Sequence, residues 1–474
     1  VLNLADVIEA ITGTRPAGVN TLLTESFIDS RLCIPGSMFI AIPGERTDGH
    51  HYVGAAFQKG AVVAIVQQDL NSQYPTIKVS AGMALTAADL PVLPFCIQVV
   101  NTIHALQTIA RFWRSKLDLR VIGITGSVGK STTKELVADV LSYKYRTLKN
   151  PGNLNNEIGL PLSILRLGPG YERAVLEMGF YVPGEIALLC EIARPQVGVV
   201  TNIGTVHAER AGSQDVIAIG KSELVQSLPN APYGTAILNF DDPRVMWMKE
   251  KTTARVLTYG LNPEADIWAD HVEGEGLEGI RFTLHYHAEE YPLRVPLIGQ
   301  HSVHTALRAA AVAFTEGMSW DEIIIALRHS HTQLRLVAVY TEVGALVLDD
   351  TYNASPESTL AALNLLEELD GRKIAVLGDM LELGQYEQEG HELVGARAAQ
   401  FTSELFTVGS RGRMIARAAR EAGMATGSIH SFDTAVDSVE HLRKILKKGD
   451  VLLVKGSHSM RMDLIVNALE KQNE

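Results

Sequence analysis

Short apolar runs recur along this chain, and most of them stop at glycine, asparagine or a carboxylate. Runs of that length, rich in β-branched residues and bounded by turn formers, predict buried strands. Residues 37–42 and 61–66 are two examples, and the polar, glycine-bearing segment 43–51 between them reads as a turn. Residues 173–179 and 197–207 repeat the pattern, each an apolar stretch running into a polar loop. A different rhythm follows. Ile280, Phe282, Leu284 and Tyr286 alternate with Arg281, Thr283 and His285, and Leu293, Val295 and Leu297 keep the same period of two. That alternation predicts an antiparallel hairpin with one packed face. Helical spacing appears over 102–116, in the alanine-rich stretch 303–313, and over 358–369 and 391–401.

These patterns divide the chain into three units. The first covers residues 1 to about 100, the second 101–333 and the third 334–474. Strand-type runs alternate with helical ones throughout, so the predicted fold class is α/β with mostly parallel sheets. The first unit reads as a small N-terminal α/β domain, and the second as a central parallel-sheet domain with an antiparallel extension. In the third unit, residues 345–350, 373–378, 404–409 and 450–456 are strand-type, giving a Rossmann-like domain without the G-x-G-x-x-G fingerprint of a dinucleotide site. Functional residues are expected at the C-terminal ends of the parallel strands. A length of 474 residues suits several domains, and 46% hydrophobic with 20% charged residues is the balance of a soluble globular protein. No apolar run is long enough to span a membrane. The net charge of −12 weighs against a nucleic-acid partner. Cys33, Cys96 and Cys190 are few and far apart, and residues 1–7 carry no signal-peptide pattern; both features suit a cytoplasmic protein, expected as a monomer.

The run Val121-Ile-Gly-Ile-Thr-Gly-Ser-Val-Gly-Lys-Ser-Thr-Thr133 carries the strongest chemical signal. A strand-type segment enters a glycine turn, and Lys130, Ser131 and Thr132 open a helix-compatible stretch. That order builds a phosphate cradle from Thr125, Gly126, Ser127, Gly129 and the residues that follow. The turn amides face inward, the helix N-terminus favours negative charge, the lysine neutralises phosphate oxygens, and a hydroxyl can reach Mg²⁺. The spacing is tighter than G-x-x-x-x-G-K-[ST], because position 124 is isoleucine.

Phosphate chemistry implies Mg²⁺, which takes hard oxygen donors. Ser131 is one candidate ligand, Glu177 at a strand end a second, and His207 after another strand a third. Lys221, on spacing alone, is a helix-surface lysine. Asp349 and Asp350 end a strand-type run ahead of a turn bearing Asn353 and Pro356. Such a pair can hold ribose hydroxyls or an amine, or form an Asx turn. Arg335 lies in the junction of the second and third units, within reach of a transferred phosphate or in solvent. Lys455 also ends an apolar run. On these residues a phosphate-loop kinase or phosphohydrolase, a partner subunit with a vestigial nucleotide site, and an ATP-driven ligase all stay open.

Together the motifs resemble the Mur ligase family, the ATP-dependent amide-forming enzymes of peptidoglycan precursor synthesis, over nearly the whole chain. Residues 123–132 are similar to its T-G-[ST]-x-G-K-[ST] loop, and 153–161, with Asn155 and Asn156, to its second central motif. The resemblance implies ATP and Mg²⁺ as cofactors, with the metal held through Ser131, Glu177, His207 and a Lys221 carbamylated by CO₂. It implies Lys130, His207, Lys221 and Arg335 as catalytic residues, with Arg335 reaching the γ-phosphate. His301, Ser302, Arg335 and Asp350 would complete the nucleotide site. Ser30, Arg31, Asp48 and His50 would face a UDP-sugar, and Asn155, Asn156, Asn353, Pro356 and Lys455 the remaining substrate atoms. Residues 349–358, 378–384 with His391, and 455–460 resemble members that add D-alanyl-D-alanine to UDP-N-acetylmuramoyl-tripeptide; members adding one amino acid, or glutamate to folate, are the alternatives within this group. The adenine-side motif G-x-H-N-x-x-N reads Gly299-Gln-His-Ser-Val-His-Thr305 here. Ser302 and Thr305 lack the side-chain amide that pairs with adenine.

Overall fold

The computed structural model describes residues 1–44, 47–205, 208–330 and 337–470. Three sheets follow one another along the chain. The first is parallel throughout, in the order Ser26–Phe27, Met38–Ile40, Val63–Val66, Phe95–Gln98, Thr76–Lys78. The segment 43–51, expected as a turn, contains the start of the short 3₁₀ helix Gly49–Tyr52, which Asp48 caps by accepting from the His50 N–H.

The central sheet has nine strands. Its parallel part runs Ile267–Gly274, Arg255–Gly260, Thr235–Asn239, Val197–Val200, Arg120–Thr125, Arg173–Glu177, Thr147–Lys149. The hairpin Ile280–Tyr286 and Glu289–Val295 continues it antiparallel, as the period-two alternation predicts. Val197–Val200 and Thr235–Asn239 are buried on both faces because helices cover both sides of this sheet. On one side lie Lys130–Ser142 and Val303–Thr315, whose apposed faces are largely small or aliphatic.

The helix Thr102–Ser115 belongs to two units at once. It packs on the first helix, Leu4–Thr12, and on Gly159–Leu165 and Glu185–Ala193 of the central domain, in one continuous apolar cluster. Trp113 Nε1 donates to the Leu167 carbonyl at 2.8 Å, and buried Arg114 donates to the carbonyls of Ala193, Leu117 and Leu119.

The third sheet runs Val337–Tyr340, Leu346–Asp350, Asp450–Lys455, Arg372–Gly378, Glu404–Val408, Ile429–Phe432, parallel except for its first strand. The last strand in sequence inserts between two earlier ones, which sets Asp350 and Lys455 side by side. The helix expected over 358–369 starts earlier, at Pro356, because Ser355 caps it and proline suits the first helical position. Among the described residues no helix is long and apolar enough to cross a membrane.

Candidate active site

Strand Arg120–Thr125 lies between Arg173–Glu177 and Val197–Val200, with Ile124 opposite Glu177 and Thr125 opposite Val200. Parallel register therefore brings three strand ends to one edge of the sheet. The chain order reverses around this strand, which makes the crevice beyond its carboxyl end the place where open α/β sheets bind ligands.

The phosphate loop fills that crevice. Gly126 has φ 144°, and a Cβ there would lie 1.8 Å from Thr201 Oγ1, so the turn admits only glycine. Gly129, at φ 82°, opens the helix Lys130–Ser142. The 201–204 loop braces the turn. Ser127 N–H donates to the Asn202 carbonyl, Val128 N–H to Asn202 Oδ1 at 2.8 Å, Thr201 Oγ1 to the Val128 carbonyl, and Gly204 N–H to Ser127 Oγ. Thr125 Oγ1 donates to the Met178 carbonyl at 3.0 Å. Thr132 follows on the first turn of the helix, half-buried.

Glu177 is buried and already organised as an oxygen donor. Ser131 Oγ donates to its Oε2 at 2.6 Å, and Asn155 Nδ2 to its Oε1 at 2.9 Å. Asn150 holds the Glu177 backbone through both its N–H and its carbonyl. Lys134, one turn beyond Lys130, stands 3.9 Å from Glu177 and donates to the Asn150 and Gly152 carbonyls. Asn156 plays a different part: its Oδ1 accepts from Gly159 N–H and starts the helix Gly159–Leu165.

Lys221 is not a surface lysine, as its spacing alone would have it. It is fully buried in the helix Gln214–Gln226, with its ammonium 4.9 Å from the centre of the Phe180 ring. Its Nζ donates to the Gly126 carbonyl at 3.0 Å, and Lys130 Nζ donates to the same oxygen at 2.8 Å. Burial, and then the neighbouring Lys130 charge, hold the Lys221 amine well below the usual lysine range, while Glu177 opposes them. An amine so placed is biased toward its neutral, nucleophilic form.

At the start of the helix Val303–Thr315, Ser302 Oγ is turned inward and donates to the Ile298 carbonyl at 2.7 Å. His301 opens onto the cleft. The density of protein around its ring, then the charges of His304, Arg308 and Lys455, push its imidazole down to about 4. A neutral imidazole offers one donor and one acceptor at neutral pH.

The third domain faces this edge with its own strand ends. Lys455 is buried, and its Nζ donates to Asp350 Oδ2 at 2.7 Å and to the Asn353 carbonyl at 2.8 Å. The Asn353 side chain is exposed, whereas Pro356 is buried as the first residue of its helix. Asp349 Oδ1 accepts from the Thr351 N–H and hydroxyl, the Asx turn anticipated for that run. Residues 378–381 and 455–460 are tied together: Leu381 N–H donates to Ser457 Oγ and Ser457 N–H to the Asp379 carbonyl. His391 Nε2 accepts from the Met380 N–H, which fixes that loop.

The central and third domains touch beside the phosphate loop. Glu357 Oε1 accepts from the Thr205 N–H at 3.0 Å and from its hydroxyl at 3.2 Å, and Glu382 accepts from the Glu209 N–H. Glu357→Ala is expected to loosen this contact and lower kcat/KM about threefold to tenfold, in line with roughly 1 kcal/mol net for one intramolecular hydrogen bond. Its thermal midpoint would stay within a few degrees of the parent, and steady-state kinetics set beside a melting curve check this.

In the first domain Arg31 is exposed and paired with Asp29. Asp48 accepts from His50 Nδ1 and from Gln68 Nε2. His50 is buried, with its Nε2 accepting from the Gln67 N–H, so its ring locks the loop instead of facing a ligand. Ser30 is also buried. His207 and Arg335 lie outside the described residues. Asn150, Lys134, Asn202 and Glu357 were not anticipated. Only Lys134 left a trace in the sequence, one helical turn after Lys130.

Three family descriptions match the chain: Mur ligase family, catalytic domain, over residues 25–114; Mur ligase middle domain, over 124–313; and Mur ligase, glutamate ligase domain, over 335–458. A relative from Mycobacterium tuberculosis (strain ATCC 25618 / H37Rv), UDP-N-acetylmuramoyl-tripeptide--D-alanyl-D-alanine ligase, is 35% identical over 93% of this chain and 91% of its own length. The crystal structure of MurF from Acinetobacter baumannii superposes with a TM-score of 0.83 at 28% identity, covering 98% of this chain and 97% of that one. MurF from Thermotoga maritima, solved in complex with ADP, gives a TM-score of 0.78 at 28% identity over 94% of this chain and 96% of that one.

Proposed function

The chain belongs to the Mur ligase family, and from that membership we propose that it joins D-alanyl-D-alanine to UDP-N-acetylmuramoyl-tripeptide in peptidoglycan precursor synthesis, converting ATP to ADP and phosphate. The observation that carries this reading is the convergence of Lys130, Ser131, Glu177 and Lys221 on one sheet edge that faces the strand ends of a third domain. The ADP complex of a structural neighbour supports ATP as the nucleotide.

A carboxylate is a poor electrophile, so amide formation requires its activation. The γ-phosphoryl group of ATP passes to the terminal carboxylate of the tripeptide, giving an acyl phosphate and ADP. Lys130 spreads the charge on the phosphoryl oxygens, with the turn amides and the helix N-terminus behind it, which is where catalysis of phosphoryl transfer mostly lies. Arg335 is assigned to the same oxygens. The amine of D-alanyl-D-alanine then attacks the acyl carbon. The C–N bond forms, the C–O bond to phosphate breaks, and the amine loses a proton. Lys455, held by Asp350, and the exposed Asn353 are assigned to the dipeptide. Arg31 and Asp48 are assigned to the UDP-sugar. Contact between the third and central domains excludes water and holds the amine close to the acyl carbon.

Ser131 Oγ and Glu177 Oε2, 2.6 Å apart, are hard oxygen donors of the kind Mg²⁺ takes, so the residues fit the ion. When bound, Mg²⁺ would neutralise charge on the phosphate oxygens. His207 and a carbamylated Lys221 are assigned as its further ligands. Carbamylation adds the neutral Lys221 amine to CO₂ and releases one proton, and the Lys130 charge that disfavours the ammonium favours the anionic product. The expected setting is the cytoplasm, where ATP is available.

ADP release by the purified protein with UDP-linked tripeptide, with and without D-alanyl-D-alanine, tests the reading. Stoichiometric ADP and amide are expected only with the dipeptide present. Equal ADP release without any amine, or turnover with a single amino acid in place of the dipeptide, would overturn it.

A further inference from the structure

The alanine-rich helix Val303–Thr315 carries one residue at odds with its surroundings. Arg308 sits among Ala306, Leu307 and Ala309–Ala313, all buried, and is itself only 5% exposed. Its Nη2 donates to Thr305 Oγ1 at 2.8 Å and its Nη1 to the Tyr259 hydroxyl at 3.3 Å, with the guanidinium 5.6 Å from the centre of the Tyr259 ring. Its Nε is buried with no hydrogen-bond partner. Among the described residues no carboxylate pairs with it. The two nearby acids are engaged elsewhere: Asp241 accepts from the Leu261 and Asn262 N–H groups and pairs with His304, and Asp242 accepts from the Ile203, Arg244 and Val245 N–H groups.

A buried cation without an anion is costly, and burial of charge is normally compensated by a partner. The position of this cation points to the partner. Arg308 Nη2 lies 3.3 Å from where a Cβ on Gly129 would stand, directly against the residue that opens the phosphate-loop helix. We infer that Arg308 is a positioning residue for the nucleotide polyphosphate: it stands against Gly129 and adds a fixed positive charge, besides that of Lys130, to the field that the phosphates enter. The inference rests on the phosphate loop binding a nucleotide, as set out above. It assigns to the helix behind the loop a share of phosphate affinity that the loop sequence does not reveal.

The test compares Arg308→Met, which keeps length and apolar contact, with Arg308→Lys, which keeps the charge. Dissociation constants for Mg·ADP and for adenosine are measured by calorimetry at low and high salt, with thermal midpoints alongside. The expected result is a loss of about tenfold or more in ADP affinity for Arg308→Met, since unit charges a few ångströms apart at an intermediate dielectric interact by more than 1.4 kcal/mol. Adenosine affinity should change by less than about twofold, the salt dependence of ADP binding should flatten, and Arg308→Lys should recover most of the loss. Unchanged ADP affinity in Arg308→Met, or equal losses for ADP and adenosine, would overturn the inference. So would equal losses in both variants, because packing and not charge would then be responsible. If Arg308→Met does not fold, Arg308→Gln takes its place under the same criteria. Failure of the parent protein to bind ADP would instead remove the nucleotide reading itself.

Discussion

Lys130→Ala is expected to lower ATP-dependent amide formation by about 10³-fold, the scale of losing one preorganised charge-stabilising group in a closed site. The chain should stay folded, since Lys130 begins its helix and its ammonium donates to the Gly126 and Ser127 carbonyls of its own turn. The substitution has a second consequence. The Lys130 charge is one of the two influences that hold the Lys221 amine low. Removing it moves the Lys221 amine upward, toward the protonated form that does not react with CO₂. The carbamate signal, followed by ¹³C NMR in labelled bicarbonate, should therefore weaken together with turnover. Near-parental turnover in Lys130→Ala would remove the phosphate-loop assignment.

Lys221→Ala is expected to be nearly as damaging, with turnover down about 10²- to 10³-fold, because it takes a proposed anionic ligand out of the metal shell. Here a rescue separates chemistry from packing. A short-chain carboxylate buffer can enter the space left by the side chain and stand in for the carbamate, so Lys221→Ala should regain part of its activity in acetate or propionate. Lys221→Met fills the same space with an apolar chain and should not respond. The parent enzyme should gain nothing from acetate but should lose activity when CO₂ is stripped from the buffer. Unchanged turnover in Lys221→Ala would place Lys221 outside the metal shell; absence of rescue with loss of folding in both variants would assign it a packing role.

The two variants probe one carbonyl oxygen from opposite sides. Lys130 and Lys221 are remote in sequence, yet both donate to the Gly126 carbonyl. That convergence lets the Lys130 charge act on the protonation of a residue on a distant helix.

Much of the arrangement could be read from local pattern. The phosphate loop, the strand that ends at Glu177, the hairpin over Ile280–Tyr286 and Glu289–Val295, and the alanine-rich helix all follow from periodicity and turn chemistry acting over a few residues. Gly126 and Gly129 belong to the same class, because a positive φ is a local demand. Lys221 is the counterexample: its spacing gives a place on a helix surface, and the structure buries it.

Orientation was not readable in that way. His50 and Ser302 stand in the expected segments, but their polar atoms are used inside the protein, His50 on Asp48 and Gln67, Ser302 on Ile298. Glu357 meets Thr205 across 152 residues of chain, and Arg308 meets Tyr259 across 49. Amino-acid order sets backbone periodicity and turn type because those depend on near neighbours. Which polar atoms are left over to face a ligand, and which buried charge stands behind the loop, emerges only when distant segments pack and compete for the same partners.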